Sequence, residues 1–165
     1  MSGLDEILIC ARHFPPAYRS GGPPRSLGGL VKGLQAEFRF RVLTMANDRN
    51  RDEVMPGVTP DTWSSWGPAD VLYSSSHWRV AQRAARMCIA AKGRVLYLNS
   101  FFDVHFTLLP LVAVKLFAPG TPVVLAPRGE FSNGALSLRA PGHSSLGSAD
   151  RVASNVRLFR AAMGA

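Results

Sequence analysis

Short apolar segments alternate with helical patterns along most of this chain, and this alternation constrains the fold more than any other feature. Segments that are apolar or alternate in polarity predict β-strands at 6–10, 38–44, 71–74, 95–98 and 122–126. Apolar residues at helical spacing predict helices over 24–37, 77–92 and 108–117, the last capped by Thr107. Strands that alternate with helices predict an α/β fold built on a doubly wound, mostly parallel sheet.

Polar loops follow three of the predicted strands, at residues 11–24, 99–103 and 127–134. The carboxyl ends of parallel strands share one edge of a sheet, and ligands bind there where the strand order reverses. We therefore expect the three loops to meet at one crevice. The long connection at 46–69 has the length of a functional or mobile loop and has room for a short hairpin.

The first of these loops has the features of a phosphate-binding turn. Gly21 and Gly22 permit positive φ and close approach of a ligand, and they precede a predicted helix whose N-terminal amides attract anions. Pro24 suits the first helical position, and Arg25 adds a mobile positive charge beside the amides. An ordinary strand-to-helix turn, with glycine for geometry alone, explains the same residues.

The loop after the last predicted strand carries Arg128, Gly129 and Glu130. Arginine can bind a phosphate or a sugar hydroxyl through two hydrogen bonds, and glutamate can accept hydrogen bonds from sugar hydroxyls. A mutual Arg–Glu pair that only holds the loop is the alternative. Asn99, after another strand, offers both a donor and an acceptor to the same crevice, or forms a turn.

Several motifs with a known chemistry are missing from the sequence. It contains no dinucleotide-binding Gly-x-Gly-x-x-Gly in the first turn, no Walker A motif and no Gly-x-Ser-x-Gly elbow. The four histidines show no metal-ligand spacing, so we expect no metal site and interpret His105 as a half-buried imidazole beside a helix. Cys10 and Cys88 are expected to be buried thiols.

The charge balance favours anionic partners. The 165 residues carry 19 Lys and Arg against 11 Asp and Glu, a net charge of +8, although a solvated basic surface would show the same excess. The acidic N-terminus does not look like a secretory signal, and the apolar stretch 108–117 is too short to span a bilayer. We expect a cytoplasmic protein, with a peripheral position at an anionic inner membrane face left open.

Three separated segments resemble the N-terminal domain of glycosyltransferase family 4, the group of retaining, nucleotide-sugar-dependent enzymes with the GT-B fold. They are Phe-Pro-Pro through Gly-Gly-Pro-Pro-Arg-Ser-Leu at 14–27, Leu-Tyr-Leu-Asn-Ser-Phe-Phe at 96–102, and the stretch with Ala-Pro-Arg-Gly-Glu at 125–136. The resemblance covers about 4–138 and implies a Rossmann-like acceptor-side domain over 1–138. The implied reaction is hexosyl transfer that retains the anomeric configuration.

The resemblance also implies roles for particular residues. Gly21, Gly22 and Arg25 would approach the diphosphate of the donor, and Asn99 with the 128–130 loop would bind a sugar or lipid-linked sugar acceptor. Many relatives have a histidine in that loop, so Arg128 and Glu130 are departures and the only candidates for a catalytic role. The family needs no metal or other cofactor, since the sugar nucleotide is a co-substrate.

The chain departs from the family pattern after residue 138. The segment 139–165 is rich in Gly, Ser and Arg and predicts an irregular or weakly helical tail, where the family continues into a donor-binding domain. We therefore expect a truncated product or a lone N-terminal half with little or no transfer activity alone. The alternatives are a non-catalytic anion- or nucleotide-binding module and one half of a split transferase completed by a separate chain. Nothing but charge favours nucleic acid, which we do not expect as a partner.

Overall fold

Six strands form one mixed, mostly parallel sheet in the computed structural model, which describes residues 5–90 and 94–127. The strands are β1 (Asp5–Cys10), β2 (Phe38–Met45), β3 (Trp63–Trp66), β4 (Ala69–Ser74), β5 (Val95–Leu98) and β6 (Val123–Leu125). Their order across the sheet is β3-β4-β2-β1-β5-β6. Of the described strands, only β3 runs antiparallel to its neighbour. It lies in the long 46–69 connection and forms a hairpin with β4, which begins at the last residue of that connection.

Within the described ranges, three α-helices accompany the sheet: α1 (Gly22–Gly33), α2 (Trp78–Ala90) and α3 (Leu109–Phe117). A short 3₁₀ turn at Tyr18–Ser20 precedes α1, and a π-helical turn at Val104–Leu108 leads into α3. The predicted α/β class is confirmed. Among the helices in the described part of the chain, none has both the length and the apolar character that a membrane crossing requires.

The buried side chains form two apolar clusters, and β1 contributes to both. Ile9 packs with Leu27 and Val31 of α1, whereas Leu8 and Cys10 belong to the cluster that includes residues of α2 and α3. Successive residues of a strand point to opposite faces, so a near-continuous apolar run such as Ile7–Cys10 is what a central strand needs. Cys10 and Cys88 are buried free thiols, and burial raises the pKa of both.

The strand order reverses beside β1. The chain moves from β1 to β2 and β4 on one side, then returns to place β5 and β6 on the other side. The carboxyl ends of β1 and β5 therefore flank the point where ligands bind in open parallel sheets.

The predicted bounds of α1 and the predicted cap of the helix after β5 both differ from the structure. Helix α1 begins at Gly22 and ends at Gly33, not at 24 and 37, because Gly21 with φ of +82° forms the N-cap and both prolines fit in the first turn. Thr107 does not cap the helix that follows β5. Asp103 caps it instead, while the buried Thr107 hydroxyl donates to the Ser100 carbonyl at 2.6 Å.

The other predicted elements shift by a few residues or less. Strand β5 has the predicted bounds, β4 begins two residues early, at Ala69, and α2 runs from Trp78 through the last described residue before the gap. The loop residues 128–134 and the predicted tail 139–165 lie outside the described residues.

A candidate anion-binding cleft at the carboxyl edge of the sheet

A polar cleft of about 450 Å³ opens at the carboxyl ends of β1, β2 and β4. Its walls come from the loops that follow these three strands. The lining residues are Arg12, His13, Ser20, Met45, Asn47, Asp48, Arg49, Asn50 and His77. A parallel sheet places these loops together because all three strands end at the same edge.

Arginines outnumber carboxylates in the lining of this cleft. It contains two guanidinium groups, from Arg12 and Arg49, two imidazoles, from His13 and His77, and a single carboxylate, from Asp48. The Asn50 amide adds a neutral donor, whereas the Ser20 hydroxyl donates to Asp48 and Asn47 Nδ2 donates to the Arg51 carbonyl. Such a set suits an anion with several oxygen acceptors, such as a phosphate.

Asp48 connects two of the loops that line the cleft. Its carboxylate accepts hydrogen bonds from the Ser20 hydroxyl at 2.6 Å, from the Arg19 amide at 3.0 Å and from the Arg49 amide at 2.7 Å. Burial alone would raise the pKa of Asp48, but these donors outweigh it, with Ser20 first, and lower the pKa below its ordinary value. Asp48 therefore stays ionised and connects the loop after β2 to the residues just before α1.

An ion pair joins the first loop to the loop after β5. The Arg12 guanidinium contacts the Asp103 carboxylate through two hydrogen bonds, Nε to Oδ2 at 2.7 Å and Nη2 to Oδ1 at 3.1 Å. Asp103 also accepts from the amides of His105 and Phe106, each at 3.0 Å. The loops at 11–24 and 99–103 are therefore in contact across the point where the strand order reverses, although no described residue of 99–103 lines the cleft itself.

Two imidazoles near the cleft are held in their neutral form. Burial, and then the positive charge of Arg12, lower the pKa of His13. Burial, and then the neighbouring His77, lower the pKa of His105. Within the described part of the chain, His13 Nδ1 and His105 Nε2 are buried without a hydrogen-bond partner. His105 lies half-buried beside α3, as its position in the sequence suggested.

The predicted phosphate-binding residues lie beside this cleft rather than in its wall. Ser20 lines the cleft, and Gly21, Gly22 and Arg25 follow it as exposed residues at the start of α1. Gly21 has a positive φ, and apart from the adjoining backbone no atom of the described residues lies within 4 Å of the Cβ position at Gly21 or Gly22. The backbone of this turn is accordingly open to a ligand.

The predicted acceptor-binding residues are only partly described. Asn99 is buried directly after β5, and its backbone N–H donates to the Cys10 carbonyl at 3.2 Å. Arg128, Gly129 and Glu130 lie outside the described residues, so their predicted roles stay predictions.

Sequence reasoning missed most of the residues that line the cleft. No recognised motif contains Arg12, Asp48, Arg49 or His77. The sequence distinguishes His77 only as one of four histidines that lack metal-ligand spacing. The available signal was position, since each of these residues follows closely after a strand of the parallel sheet. In the described ranges, no group of three or more His, Cys, Asp or Glu side chains could hold a metal ion.

A second cleft of about 440 Å³ adjoins the first and shares Asp48 with it. Tyr18, Val54 and Met55 form apolar parts of its lining, and Arg19 and Arg51 provide positive charge. The loop 46–69 therefore helps to shape the surface beside the first loop.

Comparisons with known proteins add no family to this description. No protein-family model, curated protein or solved structure matches the chain. The function must therefore be argued from the cleft and from the resemblance of the three sequence segments.

Proposed function

We propose that this chain is the acceptor-side domain of a retaining, nucleotide-sugar-dependent glycosyltransferase with a doubly wound, GT-B-type architecture. The observation that carries the proposal is the cationic cleft at the carboxyl ends of β1, β2 and β4, next to the first turn of α1. The reversal of strand order beside β1 and the order of the three resembling segments support it.

Charge accumulates on the departing diphosphate during glycosyl transfer, and pre-positioned positive groups stabilise such charge. In the proposal, Arg12 and Arg49 face the phosphate oxygens, and the open turn at Gly21 and Gly22 brings backbone amides to them. Arg25, exposed on the first turn of α1, adds a mobile cation.

The proposal places the acceptor at the loops after β5 and β6. Asn99 and the 128–130 loop would bind a sugar or lipid-linked sugar, and Arg128 or Glu130 would act at the reacting centre. A donor-binding domain facing this edge would complete the site, from the same or a separate chain. The protein would act on the cytoplasmic side, with its basic surface near anionic lipid.

A non-catalytic anion- or nucleotide-binding module is the second candidate. Asp48, the one carboxylate among the residues that line the first cleft, is occupied by three donors, and Arg12 is occupied by Asp103. Arg49 can then bind an anion in a cleft whose one carboxylate already accepts hydrogen bonds and is poorly placed to act as a proton acceptor.

Calorimetric titration of the chain tests the proposal. The ligands are pyrophosphate, UDP, GDP, UDP-glucose and GDP-mannose at constant ionic strength. We expect at least one sugar nucleotide to bind more tightly than pyrophosphate. Arg49→Ala should weaken that binding roughly tenfold, the loss expected for a hydrogen bond to a charged group. Arg39→Ala, an exposed position on β2 that does not line the cleft, is the matched control.

The titration separates the two candidates. Equal affinity for pyrophosphate and every sugar nucleotide would favour a non-catalytic anion-binding module, and UDP or GDP that binds as tightly as its sugar nucleotide would favour a nucleotide-binding one. No binding of any diphosphate, or an equal loss in Arg49→Ala and Arg39→Ala, would remove the cleft as the site.

A further inference from the structure

An exposed tryptophan lies at the edge of the cationic cleft. Trp78 is the first residue of α2, and 65% of its surface is exposed, more than at either of the other two tryptophans. His77, the residue before it, lines the cleft, and the two ring centroids lie 5.3 Å apart. A large aromatic ring left in solvent beside a polar cleft forgoes the free energy of burial, which is a common property of binding surfaces.

The indole is part of a packed group of three rings. The His105 ring meets the Trp78 ring edge-on, with centroids 4.6 Å apart and planes at 88°. The centroids of the His105 and His77 rings lie 4.1 Å apart. His105 itself is positioned by its amide, which donates to Asp103 at 3.0 Å. These contacts hold the indole in one orientation, so a ligand that stacks on it would lose little additional side-chain entropy.

We propose that Trp78, supported by His77 and His105, is a stacking platform for a pyranose ring, so that the cleft binds a sugar phosphate in preference to a bare phosphate. This inference rests on the proposed function, because the phosphate would occupy the cationic cleft. The face of an aromatic ring carries partial negative charge and attracts the weakly positive C–H groups on one face of a sugar.

The neighbouring side chains favour a sugar over a nucleobase. Asn50 can donate and accept hydrogen bonds, Ser20 Oγ and Asn47 Oδ1 can accept them, and all three residues line the same cleft. The Ser20 hydroxyl donates to Asp48, and Asn47 Nδ2 donates to the Arg51 carbonyl. A ligand with many hydroxyl groups can use such a set, whereas a planar base presents one polar edge.

Binding of glucose 1-phosphate, inorganic phosphate and AMP, measured by calorimetry at constant ionic strength, tests the inference. We expect glucose 1-phosphate to bind roughly tenfold more tightly than phosphate, the order of one aromatic stacking contact. Trp78→Ala should reduce its affinity to that of phosphate and leave phosphate binding unchanged. Trp78→Phe should keep part of the preference.

Trp63→Ala is the matched control, because Trp63 is also exposed, on β3, but lines neither cleft. It should leave the preference intact. Circular dichroism confirms that each variant is folded, which is expected since Trp78 buries little surface.

Each other outcome has a defined meaning. If phosphate binds but glucose 1-phosphate binds no more tightly, the platform is wrong while the cationic cleft stands. If AMP binds most tightly and loses that advantage in Trp78→Ala, the Trp78 indole stacks on the nucleobase and the inference is wrong. If phosphate does not bind at all, the proposed cleft fails and the platform with it.

Discussion

Single carboxylates hold the loops at the carboxyl edge in place. Asp48 and Asp103 each accept three or more hydrogen bonds from other residues, and between them they connect the loops after β1, β2 and β5. A few carboxylate acceptors thereby fix the positions of loop backbone amides.

Asp48→Ala is expected to destabilise the protein. The change leaves the Ser20 hydroxyl and the amides of Arg19 and Arg49 without their acceptor, at a cost of about 1–3 kcal/mol in the free energy of unfolding. Urea denaturation measures the loss, and Asp52→Ala, at an exposed position of the same loop, is the control. Equal stability of the two variants would show that Asp48 does not fix the loop.

Acid should destabilise the protein through His13 and His105. Both have a pKa below the ordinary value in the folded state, so the unfolded chain binds more protons as the pH falls through about 6.5. The stabilisation they provide is present above that pH and decreases below it. The free energy of unfolding should therefore be lower at pH 5.5 than at pH 7.5, with a smaller difference in His13→Asn and His105→Asn. An unchanged difference in both variants would contradict this assignment.

At the scale of elements, the packing of α1 depends on a glycine that contacts the β3 hairpin. A Cβ at Gly28 would lie 2.9 Å from the Trp66 ring and 3.3 Å from Pro15 Cγ. At Gly29 and Gly33 of the same helix, apart from the adjoining backbone, a Cβ would meet no atom of the described residues within 4 Å, so the close packing is specific to Gly28.

Alanine substitutions at Gly28 and Gly29 should therefore have opposite effects. Gly28→Ala forces Trp66 or the helix to move and should cost about 1–3 kcal/mol of stability. Gly29→Ala, exposed in the same helix, should stabilise by about 0.4–1 kcal/mol because alanine restricts the unfolded chain. Urea denaturation of the two variants decides the matter, and the same sign for both would refute the close contact.

At the scale of the whole molecule, the net charge of +8 means that the folded chain repels itself. Added salt screens this repulsion, since the Debye length falls to about 10 Å at 0.1 M ionic strength. A bound anion would do more, because it acts at one place, in the cleft that Arg12 and Arg49 line.

Anions should therefore stabilise the protein to different extents at equal ionic strength. Sodium chloride should raise the melting temperature modestly, and pyrophosphate should raise it further by binding only the folded state. Thermal denaturation with a series of pyrophosphate concentrations measures the difference, and Arg12→Ala should reduce it. Identical melting temperatures in chloride and pyrophosphate would indicate screening without a site.

The elements of this protein are largely encoded in local sequence. In the part of the chain that the structure describes, apolar runs and helical spacing predict five of the six strands and all three α-helices, because a short segment displays this periodicity by itself. The sixth strand, β3, was foreseen only as an optional hairpin. The identity of Asp103 as a cap was missed, since its acceptor role depends on the path of the chain after β5.

The composition of the cleft depends on how strands distant in sequence are ordered in the sheet. Arg12, Arg49 and His77 are separated by tens of residues, and none stands out among the 19 lysines and arginines and four histidines of the chain. Only the pairing of β1 with β2, and of β2 with β4, brings them to one edge. Local periodicity determines which segments become strands, whereas long-range hydrogen bonding and packing decide which loops become neighbours, and hence where positive charge collects.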